Sequence, residues 1–295
     1  YQQESGMNLP NREEIPEDPN RLGLSGIEFI EYTTARPQAF GRILLDMGFQ
    51  AVAAHRSREV VLYRQGHMNL VVNAHPEDTR VSSDEPVLAA VAFRVADACK
   101  AHARCLSLGA WSVERPVQAM ELHIPAIHGP GRSCFYFVDR WQEFSIFDID
   151  FKPIPGADPH PQAIAGMDYF GVVQYVGLGR SADWMAYFEH MFDFSPIADH
   201  ERYGIMPKGR LMRSPGGHFL WQLVEPDPVL EPDWAPAQSE GLHRIGLGVS
   251  DVPNAVAKLK ARGVEFVESE RLHPQDKGAL TRHPMGAIAF ELVHR

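Results

Sequence analysis

Cysteine is nearly absent from this chain. Three are present, Cys99, Cys105 and Cys134. They form no CxxC pair and are too few for a disulfide framework, so a reduced, cytoplasmic setting is expected. Also missing is any run of about 18 apolar residues, which excludes a membrane-spanning helix at the level of sequence. The first residues, "YQQESGMNLPNREEIPEDPN", are polar and acidic, the opposite of a secretory signal. No basic block exists and the net charge is −10, so nucleic acid is not an expected partner, because phosphate neutralisation needs clustered Lys and Arg. The opening residue is Tyr rather than Met, and an upstream segment or fusion partner is expected.

What remains is an ordinary globular composition, 44% hydrophobic and 22% charged over 295 residues, long enough for two domains. Four segments read alike: "GIEFIEYTT", "LAAVAFRVAD", "VVQYVGLGRSAD" and "LHRIGLGVSD". Their apolar, β-branched and aromatic content predicts strands. Each is followed by a helical stretch: "AFGRILLDMGF", "ACKAHARCLSLGA", "WMAYFEHMFDF" and "NAVAKLKARGVEF". All but the third close at a glycine, and Gly263 is the clearest C-terminal cap. Two or three further strands then follow, so the chain repeats one βαβββ module four times. The expected fold is α+β: two domains, each of two modules forming an open, mixed-sheet barrel. Residues 1–22 read as a linker or tail, 23–158 as a non-catalytic domain and 159–295 as a metal-binding catalytic domain. The divide falls where Pro153, Pro155, Gly156, Pro159, Pro161 and Gly166 break any regular element.

The last two modules carry the candidate chemistry. Aligned on their glycines, "VVQYVGLG" and "LHRIGLG" set Gln174 opposite His243; "HFLWQLVEP" and "AIAFELVHR" set Gln222 opposite Glu291. If the modules pair about a pseudo-twofold axis, these four side chains face one cavity. An imidazole, a carboxylate and amide oxygens suit Fe(II), Mn(II), Zn(II) or Mg(II) with positions open for substrate. Glu291 in an apolar strand is costly to bury unless its charge is compensated. Phe170, Phe219 and Trp221 are candidate pocket walls. The first half carries Glu28, Ala89 and Asn69 at the corresponding places, and alanine cannot ligate, so a second metal site is not expected.

The module arrangement resembles the vicinal oxygen chelate superfamily, and the first half is similar to 4-hydroxyphenylpyruvate dioxygenases. The resembling stretches, "GIEFIEYTT", "AAHRSREVVLYRQGHMNLVVN", "AVAFRVADACKAHARCLSLGA", "MELHIPAIHGPGRSCFYFVDR" and "SIFDIDF", run in order through residues 24–151. The second half matches at "AYFEHMFDF", "GLHRIGLGVSDV" and "GAIAFELVHR". The resemblance implies ferrous iron held by two His and one Glu, with room for a 2-oxo acid and dioxygen. On it, Glu291 takes the Glu position and His243 the second His position. The first His position falls on Tyr169 or, by the internal repeat, on Gln174. The family continues beyond the position of Arg295 into a C-terminal helix. Three functions are therefore expected. The first is an Fe(II)-dependent dioxygenase acting on an aromatic 2-oxo acid or related small aromatic acid, as a homo-oligomer. The second is a glyoxalase-type isomerase or lyase with Glu291 as a base. The third is the dioxygenase-like C-terminal domain of a fused dehydroshikimate dehydratase without dioxygenase activity.

Overall fold

The computed structural model describes residues 19–76, 78, 85–114, 122–198, 209–226, 240–267, 277–282, 285 and 288–295. Most of the expected tail, residues 1–18, lies outside them. The chain forms β1 (Gly26–Thr33), α1 (Pro37–Asp46), β2 (Gln50–His55), β3 (Val60–Gln65), β4 (Met68–Asn73), β5 (Val87–Arg94), α2 (Ala98–Ser107), β6 (Ala126–His128) and β7 (Cys134–Val138). It continues through α3 (Ile146–Asp150), β8 (Phe151–Pro153), β9 (Asp168–Tyr175), α4 (Ser181–Phe192), β10 (Ser195–Pro196), β11 (Arg210–Arg213) and β12 (Leu220–Val224). The last elements are β13 (Gly241–Val249), α5 (Val252–Lys260), β14 (Gly278–Leu280) and β15 (Phe290–His294).

The four repeats are present as read. In each, the last strand runs parallel beside the first: β4 with β1, β7 with β5, β12 with β9 and β15 with β13. The first strands of paired modules meet antiparallel, β1 on β5 and β9 on β13. This gives two mixed sheets, in the orders β6-β7-β5-β1-β4-β3-β2-β8 and β10-β11-β12-β9-β13-β15-β14, neither closed into a barrel. The fold class is thus α+β, as expected.

Helix ends follow local chemistry. Asp97 and Asp251 cap α2 and α5 by accepting from the backbone N–H three residues on, and Pro37 opens α1. Where α4 lacks a terminal glycine, Asp193 takes the left-handed conformation at φ 59°. Its carboxylate accepts from the Arg21 backbone N and Nε, both at 2.8 Å, tying the residues before β1 to the second half. The Pro-rich connector lies docked rather than free: Gln65 Oε1 accepts from Ile164 N at 2.9 Å, and Gly66 N donates to Pro161 O at 2.8 Å. The divide proposed from sequence, between 158 and 159, falls in this connector.

One apolar core joins the two sheets. Phe93 on β5 stacks on Phe219 at 5.7 Å, and Phe135 on β7 meets Trp221 edge-on at 5.7 Å and Phe192 at 5.6 Å. Phe219 and Trp221, expected as pocket walls, are therefore core. The strand alternation decides this: Trp221 points into the shared core, and its neighbour Gln222 to the opposite face. Because each half buries its aromatics against the other, Phe93→Ala should cost about 3–5 kcal/mol. Chemical denaturation should still show one transition, with fluorescence and circular dichroism midpoints moving together.

Candidate active site

Two of the four expected ligands share a face of the second sheet. Gln222 on β12 and Glu291 on β15 both line a small cavity together with Phe170, Gly171, Val173 and Gly246. Phe170 lies on the wall of this cavity. The space is about 30 Å³, room for about two water molecules, far below the roughly 150 Å³ that holds a benzene ring.

Gln174 is elsewhere. On β9, Gln174 lies opposite the core residue Leu223 of β12, so it turns to the core side of the sheet. There it is fully buried, and its Oε1 accepts from Trp221 Nε1 at 2.9 Å. The alternative ligand, Tyr169, is also turned away: its phenol donates to the Asn69 carbonyl in the first half. Burial holds that phenol well above its ordinary value, so it is not a phenolate donor. The repeat alignment placed Gln174 and His243 on one axis, but β9 and β13 pair through a register shift. Leu242 lies opposite Gln174 and Arg244 opposite Val173, with His243 left over at the bulge.

Alternation from Gly246 sets Arg244 on the cavity side. In the β13–β15 register Gly246 lies beside Glu291, so Arg244, two residues earlier, shares its face. Its Nε reaches Glu291 Oε1 at 2.6 Å and its Nη2 the same oxygen at 2.5 Å. Nη1 donates to Tyr175 Oη at 3.1 Å and to His243 Nδ1 at 3.3 Å. Because a guanidinium only donates, His243 Nδ1 must be the acceptor. The imidazole is stacked on Tyr175 with centroids 4.0 Å apart. Burial disfavours the Arg244 charge, but Glu291 and Tyr175 outweigh it and hold the guanidinium above its ordinary value.

A divalent metal does not fit this donor set. The Glu291 oxygen that would bind it is shared by two guanidinium nitrogens, and His243 Nδ1 faces the same cation. No group of three or more His, Cys, Asp or Glu side chains able to hold a metal occurs among the described residues. The expected ligands Gln174, His243, Gln222 and Glu291 therefore do not converge on one centre. Sequence reading missed Arg244. The available signal was the one noted for Glu291: a carboxylate in an apolar strand needs a compensating charge, and "LHRIGLG" supplies it one residue past the His.

The first half repeats the device. Glu28 on β1 is buried and accepts from Arg94 Nε at 2.5 Å. Asn69 joins it there, donating to the Glu28 backbone carbonyl at 3.0 Å.

Comparison with known proteins agrees with this architecture. A family profile described as "Hydroxyphenylpyruvate dioxygenase, HPPD, N-terminal" matches residues 18–152. A 4-hydroxyphenylpyruvate dioxygenase from a Pseudomonas species is 33% identical over 286 residues, covering 91% of this chain and 79% of that protein. The chain belongs to the 4-hydroxyphenylpyruvate dioxygenase family. A 3-dehydroshikimate dehydratase of Pseudomonas aeruginosa is 31% identical over 261 residues, covering 82% of this chain but 40% of that protein. Among solved structures, a xylose isomerase-like TIM barrel/4-hydroxyphenylpyruvate dioxygenase fusion protein superposes with a TM-score of 0.74 at 23% identity, covering 94% of this chain and 50% of that one. The chain thus spans half or less of these two longer proteins. The family relatives support a function of the dioxygenase kind and an enzymatic ancestry. No helix among the described residues is long and apolar enough to cross a membrane.

Breaking the buried pair should be costly. Arg244→Met leaves Glu291 uncompensated and should lose about 3–5 kcal/mol, most of it recovered in Arg244→Met/Glu291→Leu, as read by urea denaturation. Glu28 yields a pH test. Burial pushes its carboxyl above the ordinary 4.5, with Arg94 and Arg64 pulling it down less strongly. The folded state therefore holds this proton more tightly than the unfolded chain. The group's contribution is complete below about pH 4.5 and is lost as pH rises through the raised folded value. Glu28→Gln should remove that loss, so its stability relative to wild type should climb as pH is raised from 4 to 7. A flat difference between the two pH profiles would contradict this account.

Proposed function

We propose that this chain is a metal-independent member of the dioxygenase family, equivalent to the dioxygenase-like portion of fused dehydroshikimate dehydratases and without dioxygenase activity of its own. The carrying observation is the Arg244–Glu291 pair, which puts a buried cation against the Glu291 carboxylate on the cavity face. Two positive charges competing for one buried oxygen disfavour the metal by Coulomb repulsion in a low-dielectric site. The small cavity supports the same reading, since an aromatic 2-oxo acid does not fit about 30 Å³. The likeness to a dehydratase and to a barrel fusion, each reaching well beyond this chain, supports the fused context.

A second reading is favoured by the dioxygenase relatives at 33% identity. In it the chain binds Fe(II) and oxygenates an aromatic 2-oxo acid, with Glu291, His243 and Gln222 as donors. It requires Arg244 to leave Glu291. A homo-oligomeric state and a cytoplasmic location belong to either reading.

Metal analysis after incubation with excess Fe(II), followed by oxygen uptake with 4-hydroxyphenylpyruvate, separates the two. The expected result is less than about a tenth of an equivalent of retained iron and no substrate-dependent oxygen consumption. Stoichiometric iron with oxygen uptake would overturn the metal-independent reading and establish the second.

A further inference from the structure

The first sheet has a hollow of its own, remote from Arg244 and Glu291. Its inner face is an apolar patch separate from the shared core, built from Phe29, Val60, Val71, Ala126 and Phe147 among others. Within it lies a cavity of about 150 Å³, five times the space beside Glu291. Alternation along β1 puts Phe29 and Glu31 on this face, while Ile30 and Tyr32 enter the core. Glu31 is thereby held at the wall of an apolar hollow with only 4% of its surface exposed. Asn73 Nδ2 donates to its Oε1 at 2.9 Å, and Tyr136 Oη lies 3.4 Å from its Oε2. His55, Arg58, His123 and the buried Asp150 also line the hollow.

We infer that this hollow binds a small monocyclic aromatic molecule bearing a hydrogen-bond donor head, a hydroxyl or an ammonium group. The size argument comes first. A cavity of about this volume with apolar walls holds one six-membered ring. The hollow opens to solvent, and an apolar ring that displaces water from its walls gains the free energy of burying both surfaces. The specificity argument is Glu31. A carboxylate accepts several donors at once, so a ligand hydroxyl or ammonium joins Asn73 and Tyr136 on it. The same carboxylate, desolvated, repels an anionic head. A ring with a donor is thus selected over a bare ring, and a bare ring over a ring carrying a carboxylate. The site is chemically separate from the family's metal position, so it holds or fails independently of the function proposed above.

The test titrates the 295-residue chain, with methyl groups carbon-13 labelled, with phenol, benzylamine, toluene and benzoate. Phenol and benzylamine should shift the methyl signals of Val60, Val71 and Ala126 with dissociation constants of about 0.1–1 mM. Toluene should bind roughly 10- to 100-fold more weakly, the loss expected for a hydrogen bond to a charged group, and benzoate not at all. If only one donor head binds, that head group is the ligand class. Glu31→Gln should bring phenol and benzylamine to within about threefold of toluene. Ala126→Leu, which fills the hollow and keeps the carboxylate, should abolish binding of all probes without lowering the melting temperature, and it decides the matter if Glu31→Gln does not fold. Binding by benzoate equal to phenol, shifts elsewhere than these methyls, or affinity unchanged in Ala126→Leu would overturn the inference.

Discussion

The second half is organised around one buried charge that must be neutralised. Glu291 sits in β15 between Phe290 and Leu292, with 4% of its surface exposed. An isolated carboxylate there would carry a large desolvation penalty, so the position demands a cation. A metal ion meets that demand in one way and a guanidinium in another, and the two exclude each other at a single oxygen. Here the cation is part of the chain. That choice fixes the orientation of Arg244, through it the contact to Tyr175, and through that the stacking of His243.

The placement of Leu242 and His243 beside Arg244 depends on a backbone irregularity rather than on residue type. Without the bulge at His243, strict alternation from Gly246 would still put Arg244 inward, but Leu242 would follow it onto the cavity face. With the bulge, Leu242 returns to the shared core and His243 becomes the unpaired residue at the turn of the register. A one-residue shift of this kind moves a whole run of side chains across a sheet. It is the reason that two strands with matching glycines do not present matching side chains.

This separates what was legible in the sequence from what was not. Element type and order were legible because they are written in short-range pattern: β-branched strands, helices closed by Gly109 and Gly263, a connector dense in proline. The fourfold repeat made the topology legible as well, since each module closes its last strand beside its first. Side-chain direction was not, because it is set by register between strands far apart in sequence. Gln174 looks equivalent to His243 in an alignment and is bonded to Trp221 on the far side of the sheet. Phe219 and Trp221 carry the aromatic character expected of a pocket, but the same character serves a core shared between two sheets, and which use prevails depends on packing partners such as Phe93 and Phe135.

The two halves solve related problems in opposite ways. Each has a buried Glu–Arg pair on its sheet, Glu28 with Arg94 and Glu291 with Arg244. In the first half Arg94 is partly exposed and also lies over the Trp141 ring at 4.9 Å, at the edge of the sheet face, leaving the hollow around Glu31 open. In the second half Arg244 is 3% exposed at its side chain and lies across the face itself. The second half has about 30 Å³ of space beside Glu291, whereas the first half keeps about 150 Å³ beside Glu31. In both halves the buried glutamate dictates an arginine beside it, because a carboxylate removed from water needs a compensating charge.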